Sequence, residues 1–69
     1  MRVFFVDTDN NEVVVDKKMD KDLETVLDII SYLDQIKAND CIYKIDHEEN
    51  MYDFDSNELI VSVNFFLEI

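Results

Sequence analysis

Not one glycine or proline occurs in these 69 residues. Every reversal of the chain must therefore be built from residues that carry a side chain and still tolerate left-handed backbone. Asn and Asp do so at the least cost. They stand between apolar runs at Asp9-Asn10-Asn11, Asn39-Asp40, Glu49-Asn50 and Ser56-Asn57, and these four turn signals divide the chain into five segments.

Residues 2–7 and 12–17 alternate and are rich in Val and Phe, which predicts a hairpin around Asp9-Asn10-Asn11. Strict alternation puts Val13 and Val15 on one face and Glu12, Val14 and Asp16 on the other. Over residues 22–37 the period changes: Leu23, Val26, Leu27, Ile30, Leu33 and Ile36 trace one helical stripe, which Ile29 widens. The spacing predicts a helix with Asp20 as N-cap, Asp22 and Glu24 at its positive end, Lys37 near its negative end and Asn39 at the left-handed stop. Residues 41–47, 51–55 and 58–68 read as strands. In the last, Leu59, Val61, Val63, Phe65 and Leu67 share a face assigned to the core, while Ile60, Ser62, Asn64, Phe66 and Glu68 share the other. The resulting order is β-β-α-β-β-β, an α+β fold with a single helix packed on an antiparallel sheet, and residues 1–69 form one compact domain.

At 48% hydrophobic, with five Phe and three Tyr, the chain has the material for a core that a disordered acidic segment lacks. Its length is near the size at which one core becomes marginal. A single cysteine, Cys41, forms no internal bridge, so self-association or close packing must supply the difference. A lone thiol also fits a reducing compartment, and cytoplasm is the expected location. The opening apolar run reaches Asp7 too soon for a signal-peptide core, and no stretch approaches a membrane span of about 18 apolar residues.

Charge narrows the partner. Seventeen acids oppose six Lys and Arg for a formal charge of −11, and beyond Lys44 seven acids meet no Lys or Arg at all. Anionic lipid and phosphate backbones would be repelled, so neither a membrane surface nor direct nucleic-acid contact is expected. Asp46, Glu48, Glu49, Asp53, Asp55 and Glu58 place six acids in thirteen residues, with only His47 as a counter-charge. Asp53 and Asp55 are expected on one strand face about 6.6 Å apart, with Tyr52 and Phe54 on the other. On the helix, Glu24 and Asp28 lie one turn apart, with Asp34 at the flank. Such runs often only solubilise a protein and guard an edge strand. This asymmetry exceeds that need, and a row of carboxylates resembles a phosphate backbone in sign and approximate spacing.

The expected function is a non-enzymatic acidic inhibitor or decoy, a nucleic-acid mimic that occupies the basic groove of a nucleic-acid-handling protein. Phage anti-defence proteins of the anti-CRISPR or anti-restriction type are the class-level analogy. The expected partner surface comprises Asp46, Glu48, Glu49, Asp53, Asp55 and Glu58, Glu24 and Asp28 on the helix, and Tyr52, or Phe54, as aromatic anchor. An alternative is an immunity- or antitoxin-like or homodimeric module that self-associates through Ile60 and Phe66 along the C-terminal edge.

Other chemistries find less support. Asp7-Thr8-Asp9-Asn10-Asn11 and Asp53-Phe54-Asp55-Ser56-Asn57 begin like calcium loops, but Glu12 and Glu58 replace the required glycine, and Lys18 and Asn64 replace the bidentate Glu. Both read as Asx-type hairpin turns. Cys41 and His47 lack the further ligands of a structural zinc site. No cofactor is expected, and no nucleophile, base and orienting group fall into a catalytic set.

Overall fold

The computed structural model describes all of residues 1–69. One pattern, Asp-x-Asp-x-Asn-Glu, occurs at 7–12 and again at 53–58, and each copy closes a hairpin. In the first, Asp7 Oδ1 accepts the Asp9 amide at 3.1 Å. In the second, Asp53 Oδ1 accepts the amides of Asp55 at 2.9 Å and Ser56 at 3.3 Å. The Asn of each copy sits in left-handed backbone, Asn11 at φ 59° and Asn57 at φ 56°, where glycine would ordinarily stand. A third reversal, Asn39-Asp40, has both residues left-handed, at φ 54° and 60°, the geometry of a two-residue type I′ hairpin.

These turns join β1 (Arg2–Asp7), β2 (Glu12–Lys18), α1 (Leu23–Ser31), β3 (Gln35–Ala38), β4 (Cys41–Ile45), β5 (Met51–Asp53) and β6 (Glu58–Glu68). The strands form one sheet in the order β2-β1-β6-β4-β3, with β5 beside β6 beyond the end of β4. The fold is α+β with one helix on one sheet. The sheet is mixed rather than wholly antiparallel, because β1 and β6 run parallel, from Arg2 opposite Glu58 to Asp7 opposite Val63. These two strands lie at the centre, so their inward residues Val3, Phe5, Leu59, Val61 and Val63 are all buried. Tyr43 and Ile45 of β4 complete that face, and Val26 and Ile30 of α1 cover it. Each side chain so enclosed contributes about 1.5–3 kcal/mol. Burial also raises the Tyr43 hydroxyl pKa above 10.0, and Cys41, Asp7 and Glu12 add to the effect. The sheet curls until Asn39 Nδ2 donates to the Val14 carbonyl at 3.0 Å, which brings the β3–β4 turn to β2.

The helix is shorter than its stripe of apolar residues predicts. It begins at Leu23, with Asp22 rather than Asp20 as N-cap, and ends at Ser31 with Tyr32 as C-cap. Gln35–Ala38 leaves the helix to become a strand, which makes the order β-β-α-β-β-β-β. The reason is tertiary. Ile36 fits the helical stripe but also shares strand parity with Ala38, and pairing these two with Tyr43 and Cys41 completes hydrogen bonds along β4. Asn39, expected to stop the helix, instead turns this hairpin. The strands expected at 41–47 and 51–55 end at Ile45 and Asp53, where Asp46 and Asp53 start turns.

Two register shifts move side chains between faces. Phe5 pairs with Val15 but Val6 pairs with Val13, so Val13 and Val15 lie on opposite faces instead of sharing one. On β6, Tyr43 pairs with Phe65 and Ile42 with Leu67, which leaves Phe66 as the extra residue. Phe65 still points inward and meets the Tyr43 ring edge-on at 6.0 Å. Leu67 is turned to the outer face. Phe65 is 51% and Leu67 41% exposed, so neither belongs to the core to which alternation assigned them.

Leu59→Ala is expected to destabilise the fold by about 3 kcal/mol and Leu67→Ala by less than about 1 kcal/mol in urea unfolding; equal losses would contradict the bulge. Hydrogen bonds from the Thr25 side chain and amide hold the Asp22 carboxyl below 3.8. A carboxyl depressed in the folded state stabilises above its unfolded value and loses that contribution as pH falls through the folded value. Asp22→Ala should therefore show a shallower loss of stability than the native chain below about pH 4, read by acid titration of helical circular dichroism.

Candidate functional site: an acidic sheet edge

The carboxylates of residues 46–58 are held by one continuous hairpin. β4 and β5 run end to end along the same side of β6, pairing with residues 63–68 and 58–60 respectively. Between them residues 46–50 leave the ladder. The excursion is anchored at both ends to Ser62, which is buried. Asp46 N donates to the Ser62 carbonyl at 2.9 Å, Ser62 N donates to Asn50 Oδ1 at 3.1 Å and Ser62 Oγ donates to the Glu49 carbonyl at 2.6 Å. Asp46 Oδ1 accepts the Glu48 amide at 3.0 Å, closing an Asx turn. His47 Nε2 lies 2.9 Å from the Leu33 carbonyl, which ties the excursion to the end of α1. Glu48 and Glu49 project into solvent from this braced loop.

The other half of the acidic run sits at the β5–β6 hairpin. Asp53 and Asp55 do not form the expected strand row, because β5 ends at Asp53 and Asp55 lies in the turn. Asp53 is half-buried and its carboxylate is occupied by turn amides, whereas Asp55 is exposed. Glu58 stands opposite Asp53 on one side and Arg2 on the other. Tyr52 faces inward opposite Leu59, packs against the core, and gives its hydroxyl to Asn57 Oδ1. The aromatic group on the surface is Phe54, 84% exposed, which meets Tyr52 edge-on at 4.7 Å. Parity alone placed both rings together; the turn decided which of them is free.

Glu24 and Asp28 remain one turn apart on the exposed face of α1 and, with Thr25 and Leu27, line a shallow hollow. They belong to the helical layer, not to the hairpin that carries the other acids. Ile60 is half-buried within the sheet between Phe4 and Met51. Phe66 is exposed on the outer face, with Lys44 Nζ 4.3 Å from its ring centroid.

Electrostatically the edge is left uncompensated. Of the 17 carboxylates only Asp16 forms an ion pair, to Arg2 Nε at 2.9 Å. Arg2 and Lys18 line a second hollow with Met1, Ser56, Asn57 and Glu58, while Lys44 is drawn over Phe66. No group of three or more His, Cys, Asp or Glu side chains is arranged to hold a metal ion. No protein-family model matches the chain, and no curated protein or solved structure matches it.

Asn50→Ala removes the acceptor for the Ser62 amide and should cost about 1–3 kcal/mol, with faster hydrogen exchange at Ser62. Glu48→Gln should stay within about 0.5 kcal/mol of the native chain. Equal effects would mean that Asn50 does not brace the loop.

Proposed function

We propose that this protein is a non-enzymatic acidic binding protein that occupies the basic groove of a nucleic-acid-handling protein as a nucleic-acid mimic. The observation that carries this reading is a braced edge on which Glu48, Glu49 and Asp55 are exposed and no carboxylate of residues 46–58 has a cationic partner. Preorganised charges lose little entropy on binding, and carboxylates in place of phosphates gain from a basic groove through its released counter-ions. Phe54 at the hairpin tip supplies an apolar anchor within the charged surface. An anti-defence inhibitor and an immunity-type inhibitor would use this edge in the same way and differ in the partner. No helix is long and apolar enough to cross a membrane; a reducing cytoplasm is the setting proposed for the free Cys41 thiol.

Competition against labelled duplex DNA on a panel of basic nucleases and repressors tests the reading. The native chain should displace DNA from at least one of them, and raising salt should weaken its hold. The combined variant Glu48→Gln, Glu49→Gln, Asp55→Asn spares the turn carboxylates of Asp46 and Asp53. It should compete at least about tenfold less well and show a smaller salt slope. Absence of displacement across the panel, or an undiminished variant, would refute the proposal.

A further inference from the structure

β6 has strand neighbours on both sides only along its first half. The register with β1 ends at Asp7 opposite Val63, and the last backbone bond from that side runs from Thr8 N to the Val63 carbonyl at 3.1 Å. From Asn64 to Glu68 only β4 lies alongside. Because backbone groups alternate in direction along a strand, the N–H and C=O of Phe65 face the same open side as the Val63 carbonyl. Such an edge is a template for another strand.

This edge is also unguarded. Phe65, Phe66, Leu67 and Ile69 are all exposed, and Glu68 is the only charge within residues 64–69. The other edges carry charge: Glu12, Asp16, Lys17 and Lys18 on β2, Lys37 on the four-residue β3, and the acidic run around β5. Charged edges keep other chains off, and an apolar one admits them.

Charge at the two ends of the open edge selects the occupant. At its start the β1–β2 turn, bearing exposed Asp9 and Glu12, is tied to β6 by Asn64 Nδ2 donating to Thr8 Oγ1 at 2.8 Å. At its finish stands Glu68, while Asp40, whose carbonyl accepts the Ile69 amide at 2.9 Å, lies on the β4 side of the strand. A second copy fits poorly. It would bring another charge of −11, and the bulge at Phe66 turns Phe65 and Leu67 to opposite faces, so an antiparallel self-pairing centred on Phe66 would set inward residues against outward ones.

We infer that the open edge of β6 over residues 64–68 takes up an extended peptide segment of a partner as an added strand, with apolar residues in the middle of that segment and Lys or Arg at both of its ends. The inference extends the proposed binding of a basic partner but uses a different edge of the sheet. Main-chain hydrogen bonds would supply affinity, Phe65 and Leu67 the apolar contacts on the two faces, and the terminal carboxylates the selection of charge.

Three capped octapeptides test this: one with two Lys at each end and alternating Val and Thr between, the same peptide N-methylated at alternate central amides, and the same with Glu for Lys. The first should bind the full chain and slow hydrogen exchange at the Phe65 amide. N-methylation, which leaves charge unchanged and removes strand donors, should weaken binding about tenfold or more, and the Glu peptide should bind more weakly still. Equal binding of the first two peptides would overturn the inference, since charge alone would then account for it. So would a doubled mass in light scattering with Phe65 already protected, which would assign the edge to a second copy. The variant Glu48→Gln, Glu49→Gln, Asp55→Asn should keep the N-methylation effect while losing competition with DNA, so the two edges can fail independently; loss of the N-methylation effect in that variant would also overturn the strand assignment.

Discussion

The parallel pairing of β1 with the first half of β6 is the constraint on which the remaining structure depends. It joins the beginning of the chain to its end, so the core closes only when the last strand is in place. It also sets a mismatch of length: β1 has six residues and β6 eleven. The longer strand is covered on one side by β5 and β4 in series, and on the other by β1 alone until β1 runs out. The braced excursion between β4 and β5 and the open overhang of β6 follow from this arithmetic of strand lengths. Helix α1 then needs little contact area, because Val26 and Ile30 seal a face that five central side chains already fill.

The acidity of the chain has two physical origins, and the structure separates them. Without glycine or proline, turns and caps depend on side-chain acceptors, and Asp7, Asp22, Asp46 and Asp53 each accept a backbone amide. These carboxylates belong to the architecture. Glu48, Glu49 and Asp55 accept no such bond and stand in solvent without cationic partners. Within residues 46–58 the binding role proposed above rests on the second group, while the first fixes where that group is presented.

Much of the fold was legible. The turn positions, the first strand and the full span of β6 followed from alternation and from Asn and Asp between apolar runs. The pattern at Asp7-Thr8-Asp9-Asn10-Asn11 pointed to an Asx turn for the same reason, as did its repeat at residues 53–57. Less of the site was legible. The cluster of acids was plain, but Asp53 and Asp55 were separated by a strand end, and Tyr52 was half-buried against the core where Phe54 was exposed. Ile36 fits the helical stripe and, with Ala38, a strand period as well, so no local pattern could choose between helix and strand there. The bulge at Phe66 left no mark in a strand whose alternation is otherwise unbroken.

By itself, then, the amino-acid order determined what is local: hairpin turns from Asn and Asp, a capped amphipathic helix, a long alternating strand and an excess of negative charge. Only the tertiary structure decided which strands became neighbours, where the helix yielded to β3, and which edge of β6 stayed open. The physical reason is range. Turn and cap energies are set by residues a few positions apart, whereas pairing, register and exposure depend on hydrogen bonds and packing between segments as distant as Arg2 and Glu58.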